Sequence, residues 1–388
     1  MNEISVRNFL RLYSGPIVSV AILLILASAG VAAFFEAWWI VGLLGIAAIV
    51  VPVFFYRDLR YWVQFHRGVQ AFRNKSYVEA EGNLREALCL AELFAPDDLR
   101  RGSALIWLVQ AARAQGNIDD AEAFGLQGVT TAERACGSEH AFTMHAMLLL
   151  ASVYVSIAQY AKAEPLLQKV LVTLEGKRKP ARAQLAECLV LLGRVSSEQG
   201  RDAAAEPFYR RAYEIAASGR ERIARTLELA QLCARRKNVA EAETLLQHAL
   251  AELPQTGEPE SILMANFLEM QAFVQMLQGR LTEAEALQRQ SLVLIEKLAG
   301  PNMPASSSGL NQLGEILTAQ GKLADAEPCL RAALRLRQEY MAPEHPALAD
   351  VLENLAELLL SMGRCQEAEG CLGRAEQIRA VHASHDHE

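Results

Sequence analysis

LNQLGEILTAQGKLADAEPCLRAALRLRQEYMAPEHP, running from Leu310 to Pro346, reads as one folding unit. An apolar helical stretch meets a glycine, Gly321; a second helix opens on an Ala-Glu pair, and a proline-containing connection, APEHPA, stops it. The unit recurs through the chain as SYVEAEGNLREAL, NIDDAEAFGLQGV, QYAKAEPLLQKVL, RDAAAEPFYRRAY, NVAEAETLLQHAL, RLTEAEALQRQSL, KLADAEPCLRAAL and RCQEAEGCLGRAE. The paired alanines are Ala80, Ala121, Ala163, Ala205, Ala242, Ala284, Ala326 and Ala368, with successive spacings of 41, 42, 42, 37, 42, 42 and 42. A small side chain at so regular an interval is a packing requirement, because two helices approach closely only where the contact residue is small. Gly116, Gly200, Gly279, Gly321 and Gly363 stand five residues before their alanines, where a left-handed cap reverses the chain. Lys75, Ala158 and Lys237 replace that glycine elsewhere, which predicts less sharply specified turns. Stretches such as ALIWLVQAARAQ and VLENLAELLLSM precede the turns, with the period of helices buried on one side.

On these residues, and on LENLAELLLSMGRCQEAEGCLGRAEQIR (Leu352 to Arg379), the array resembles tetratricopeptide repeats of the 42-residue variety found in kinesin light chains and many bacterial proteins. The resemblance implies an all-α, right-handed solenoid of about eight helix-turn-helix repeats over residues 61–380. It says little about function, since this scaffold serves unrelated partners. The short 37-residue interval falls across AASGRERIARTLELAQLCARRKN and is readable either as a hinge or as a harmless deletion.

The first 60 residues read differently. Two uncharged stretches of about 20 residues, 16–35 and 38–56, flank Glu36 and match the roughly 30 Å hydrocarbon core of a bilayer. Trp38, Trp39, Tyr13, Tyr56, Tyr61 and Trp62 suit interface belts. Arg7 and Arg11 before them, and Arg57, Arg60 and Arg67 after, predict a transmembrane hairpin with both ends inside. A cleaved signal peptide ending at Ala27-Ser28-Ala29 is outweighed, because the apolar run continues past that point. The expectation is therefore a multi-pass plasma-membrane protein, integral in the membrane, whose repeats face the cytoplasm.

A net charge of −7 excludes a general nucleic-acid binder, which needs clustered cations for phosphates. Seven scattered cysteines without a CxxC pair read as apolar fillers. No GxSxG, HExxH, phosphate loop or dinucleotide fingerprint is present, so no catalytic residue and no cofactor is expected. The polar tail 381–388, with His382, His385 and His387, reads as disordered in preference to a weak metal site.

In the family resembled here the first helix of each repeat lines a concave groove where peptides dock. Carried onto this chain, that pattern puts His145, Ser152, Glu187, Arg194, Gln231, Asn266, Glu269, Phe273 and Asn311 on the groove face, extended by Glu315, Asp350, Glu353, Asn354 and Glu357. Asn311 and Asn354 resemble amides that clamp a ligand's backbone. The carboxylates of the last repeats read either as a pocket for a basic partner segment or as a solvated face. The expected function is a scaffold for a protein or peptide partner. The alternative is a structural subunit of a membrane-associated assembly, a homo-oligomer built through its terminal repeats.

Overall fold

The computed structural model describes residues 38–93, 98–178, 180–217, 219–253, 261–300 and 305–385. Among these it has sixteen α-helices and no strand, and the chain divides into two compact units, Met1–Ala104 and Leu105–Glu388.

In the first unit α1 (Trp38–Arg73) and α2 (Tyr77–Glu92) form a hairpin. Its crossing is close at Gly68: a Cβ there would stand 2.6 Å from Cγ of Leu84. Tyr61 is fully buried beside Ala87 and Ala91, and its hydroxyl donates to the Arg100 carbonyl at 2.8 Å. The second unit begins inside α3 (Leu99–Ala114), which is followed by α4 (Ile118–Cys136). Six further hairpins follow. They are α5 (Ala141–Ser156) with α6 (Tyr160–Glu175), α7 (Arg182–Glu198) with α8 (Asp202–Ile215), and α9 (Arg220–Arg235) with α10 (Val239–Glu252). Then come α11 (Ile262–Leu277) with α12 (Leu281–Ala299), α13 (Ser306–Ala319) with α14 (Leu323–Tyr340), and α15 (Pro346–Ser361) with α16 (Cys365–His385).

All eight signature alanines are 0% exposed, which is what close helix crossings require. The eight hairpin turns share one hydrogen bond, an N–H reaching the carbonyl five residues back, as in Arg201 to Ser196, Lys322 to Leu317 and Arg364 to Leu359 (2.8, 2.9 and 2.8 Å). This is the Schellman closure, and it puts the residue before the donor in the left-handed region. Gly321 sits there at φ 76°, and so, without the freedom of glycine, do Lys75 (62°), Ala158 (58°) and Lys237 (62°). Those three turns are built like the rest, only at greater conformational cost.

The glutamates of four of the Ala-Glu pairs link consecutive repeats. Glu164, Glu243, Glu285 and Glu327 pair with the cation that follows the next turn's glycine: Arg201, Arg280, Lys322 and Arg364, at 3.5, 3.6, 2.7 and 2.8 Å. Each pair spans 37 residues, so one repeat staples the next. Individually such exposed pairs contribute up to ~1 kcal/mol; the ladder repeats them.

Three sequence expectations need correction. Among the described residues no helix is long and apolar enough to cross a membrane, which overturns the placement as a multi-pass plasma-membrane protein. The first expected span, 16–35, lies outside the described residues. The segment 38–56 does not close a separate hairpin at Tyr56; α1 continues unbroken to Arg73, where its second half is the first helix of the first repeat. At the other end α16 runs to His385, so the tail expected to be disordered from 381 is helical that far, and 386–388 lie outside the description. The 37-residue interval is absorbed largely in α8, which has 14 residues where α4 and α12 have 19.

Candidate functional site

The first helices of successive hairpins in the second unit, α3, α5, α7, α9, α11, α13 and α15, are tied side by side by polar side chains. Arg113 Nη1 donates to Ser152 Oγ at 2.8 Å. Arg194 pairs with Glu228 at 2.7 Å, and Arg235 Nη2 donates to the Ser197 carbonyl at 3.2 Å. Ser308 donates to Glu269 at 2.5 Å, while Gln312 donates to the Glu269 carbonyl at 3.2 Å.

The tightest group lies between α13 and α15. Asn311 Nδ2 donates to Glu315 Oε1 at 2.7 Å; Asn354 Nδ2 donates to the same oxygen and to Asn311 Oδ1 at 3.1 Å. The two amides thus converge on one carboxylate. Burial pushes the Glu315 carboxyl above the ordinary glutamate range, the two amide bonds oppose that, and the charges of Asp350 and Glu357 add to it. Asp350 and Glu357 therefore act on Glu315. A cation the sequence reading did not place there comes from the last helix. Arg379 on α16 pairs with Glu353 at 2.6 Å and Asp350 at 3.1 Å. Arg337 on α14, 9% exposed and donating to the Ala347 carbonyl, lies within reach of the charges of Asp350, Glu315 and Glu269. Glu269 is likewise pushed up by burial, against the Ser308 bond and Arg337.

The other expected groove residues are more dispersed. Arg194 is held charged, first by Glu228. Gln231 and Asn266 are exposed, and His145, Ser152 and Glu187 half-buried. Phe273 packs against the hydrophobic core that runs from Met144 to Val274. Arg113, Glu198, Glu228, Ser308, Arg337 and Arg379 were not singled out from sequence. Four of them lie one helical step from, or opposite, the expected row; Arg337 and Arg379 belong to second helices, which the family pattern leaves out.

The second unit curls far enough for its second and last hairpins to touch. His345, at the start of α15, sets Nε2 3.1 Å from the Ser156 carbonyl at the end of α5, 189 residues away. Its Nδ1 accepts from Ala347 N–H at 3.1 Å, so the proton sits on Nε2 and donates to Ser156. Across the same gap the charge of Asp350 reaches Glu198, whose carboxyl is raised chiefly by burial. His140 caps α5 in the same manner, accepting from Phe142 N–H at 3.2 Å. The two histidines are capping groups.

All seven cysteines are free, and burial holds the thiols of Cys188 and Cys233 up to about 12 and about 11, so neither is a poised nucleophile. The tail histidines' side chains lie outside the description.

Family models described as tetratricopeptide repeat match residues 100–175 and 305–380, and a second such model matches 185–218 and 274–305. Together they cover more than half of the sequence. The chain belongs to the tetratricopeptide-repeat family. No curated protein matches this repeat protein. Among solved structures, the quorum sensor NprR from B. thuringiensis in its apo form superposes with TM-score 0.59 at 13% identity, covering 82% of this chain and 87% of that one. A Rap protein complexed with Competence and Sporulation Factor superposes at 0.56, with 13% identity over 84% and 99% of the two chains. A tetratricopeptide repeat protein from Parabacteroides merdae gives 0.51 and 16% identity over 78% and 99%. At these identities the likeness is one of fold.

Proposed function

We propose that this repeat protein is a non-catalytic scaffold whose concave groove takes an extended segment of a partner protein, with a basic residue of that segment seated over Glu315. One observation carries the reading. Glu315 is a half-buried carboxylate compensated by the amides of Asn311 and Asn354, whereas its neighbours Asp350 and Glu353 are held by Arg379. A ligand ammonium or guanidinium placed there would recover the charge interaction that burial withholds. The amides can then turn to a ligand's backbone N–H and C=O. In support, a Rap protein of the same fold was solved with Competence and Sporulation Factor bound.

The test is fluorescence anisotropy with labelled peptides differing only in Lys against Gln. Lys-bearing peptides are expected to bind at least tenfold tighter, and Glu315→Gln to abolish that difference. Equal binding of both sets would remove the basic-segment reading. A self-associating structural role has one observation in its favour: Leu360, Met362 and Leu372 on the last hairpin are exposed. A concentration-dependent change in sedimentation, lost on Leu372→Glu, would support it.

A further inference from the structure

The groove carries positive charge as well as negative, and its arginines are not equivalent. Arg194 is neutralised by Glu228 at 2.7 Å, Arg235 by Asp202 at 3.5 Å, and Arg379 by Glu353 and Asp350. Arg113 is different. Its guanidinium, half-buried at the end of α3, donates to the hydroxyl of Ser152, and among the described residues no carboxylate oxygen lies within 4 Å of it. Ser152 is itself committed, donating to the Leu149 carbonyl at 2.7 Å.

The surroundings of Arg113 disfavour its charge. Burial is the largest cause, the guanidinium of Arg194 is the next, and Glu187 opposes both weakly. A guanidinium has five N–H donors in a planar fork matched to an oxyanion, and the Ser152 bond uses one of them. A half-buried cation with most of its donors unspent, and with a second cation pressing on it, gains most from an incoming anion.

We infer that Arg113, with Ser152 holding its fork in place, is an anion subsite that receives an oxyanion of the bound segment, so that the ligand is bipolar and lies in one direction. This rests on the groove reading above, which puts the ligand's basic residue at Glu315. The curl of the second unit lets one short segment touch both halves: His345 meets Ser156, and Asp350 acts on Glu198. Opposite charges at the two ends of a groove set orientation and reject reversed or uniformly charged segments, a task electrostatics performs better than it raises affinity.

The experiment uses full-length protein and an array of amide-capped nonapeptides. Each carries one Lys and, at one varied position, Glu, phosphoserine or Gln; a parallel set carries Gln throughout but ends in a free carboxylate. Wild-type protein is expected to prefer peptides with one anionic group at a set distance from the Lys. Arg113→Gln should weaken those peptides at least tenfold while leaving anion-free, Lys-bearing peptides unchanged, and Arg113→Lys should restore part of the loss. The three arms tell a side-chain carboxylate, a phosphate and a chain terminus apart. An Arg113→Gln loss equal for peptides with and without an anion would make the residue structural and overturn the subsite alone. Wild-type protein that retains no peptide would overturn the groove reading and the subsite with it.

Discussion

Gly193 on α7 faces the ring of Tyr209 on α8, and replacing it with alanine sets two effects of similar size against each other. In a helix interior, alanine is favoured over glycine by about 1 kcal/mol. Yet a Cβ at 193 would lie 2.9 Å from Cε1 and Cζ of Tyr209 and 3.1 Å from Cδ1. Carbon atoms are at ease at roughly 3.5–4.0 Å, so the ring must retreat by more than half an ångström. Tyr209 is only 4% exposed and its ring is stiff, so there is little room to retreat into. Overpacking of this kind costs about 1–3 kcal/mol, which outweighs the propensity gain and leaves Gly193→Ala about 1 kcal/mol less stable. Gly370 in α16 supplies the control, because a Cβ there meets nothing within 4 Å; Gly370→Ala should stabilise by about 0.5–1 kcal/mol. The chain also shows what rescues the clash. Sixteen residues apart, as Gly193 and Tyr209 are, stand Ala151 with Leu167 and Ala230 with Leu246, all buried. The double variant Gly193→Ala with Tyr209→Leu copies those pairs and should recover most of the loss, with a coupling of about 1–2 kcal/mol in the cycle. Urea midpoints followed by circular dichroism at 222 nm read the four corners of the cycle, Tyr209→Leu among them, and the Gly370→Ala control, with hydrogen exchange on α7 and α8 guarding against partial unfolding of a repeat array. Stabilisation by Gly193→Ala as large as that of Gly370→Ala would refute the reasoning.

Lys237→Gly should stabilise by about 1 kcal/mol, because the lysine holds φ 62° where a β-carbon is strained; a lower thermal midpoint would contradict this. Glu285, drawn down to about 2 chiefly by its bond from Lys322, has a folded pKa below its unfolded one. Its contribution is therefore complete above the ordinary glutamate range and vanishes as pH falls from there to about 2. Glu285→Gln should lower the neutral plateau of urea midpoints and flatten the acid limb in that window, so that variant and wild type converge near pH 2. His345→Ala should lose an N-cap worth about 1 kcal/mol together with the contact to Ser156. His345→Asn keeps a capping oxygen but is too short to reach Ser156, so small-angle scattering should show both variants opened and melting should show only the alanine variant weakened.

How much of this was legible in the sequence depends on what each signal measures. The alanine interval and the turn glycines report steric necessity, and they correspond to buried crossings and Schellman turns. Hydropathy locates apolar residues but not helix ends. Between Tyr56 and Arg73 there is one glycine, the buried Gly68, and no proline, so nothing stops α1 where the apolar run does. The glutamates following the alanines were visible too, yet for Glu164, Glu243, Glu285 and Glu327 the partner lies 37 residues on, just past a glycine, and emerges only when consecutive repeats are laid side by side. His140 and His345 looked isolated because a cap needs only a backbone N–H two residues away. Arg379 was missed because its carboxylates are 26 and 29 residues back, from a second helix onto a first.

The two sides of the repeats use the same residue types to opposite ends, and the direction in which their charges are perturbed separates stacking from recognition. Along the inter-repeat ladder, Glu285 and Glu327 are both held below the ordinary glutamate range by bonds from Lys or Arg, a state that needs nothing further. On the groove side, burial drives Glu198, Glu269 and Glu315 upward and weakens the charge of Arg113. Charges kept under such strain lower stability near neutrality: a carboxylate whose folded pKa exceeds its unfolded one disfavours folding increasingly as pH rises through that interval. Glu315→Gln should therefore make the protein slightly more stable at pH 7 while it abolishes selection for basic segments. Glu315, between two amides, thus differs from Glu285 and Glu327, which Lys and Arg compensate, and the basic residue of the proposed segment is the charge that would compensate it.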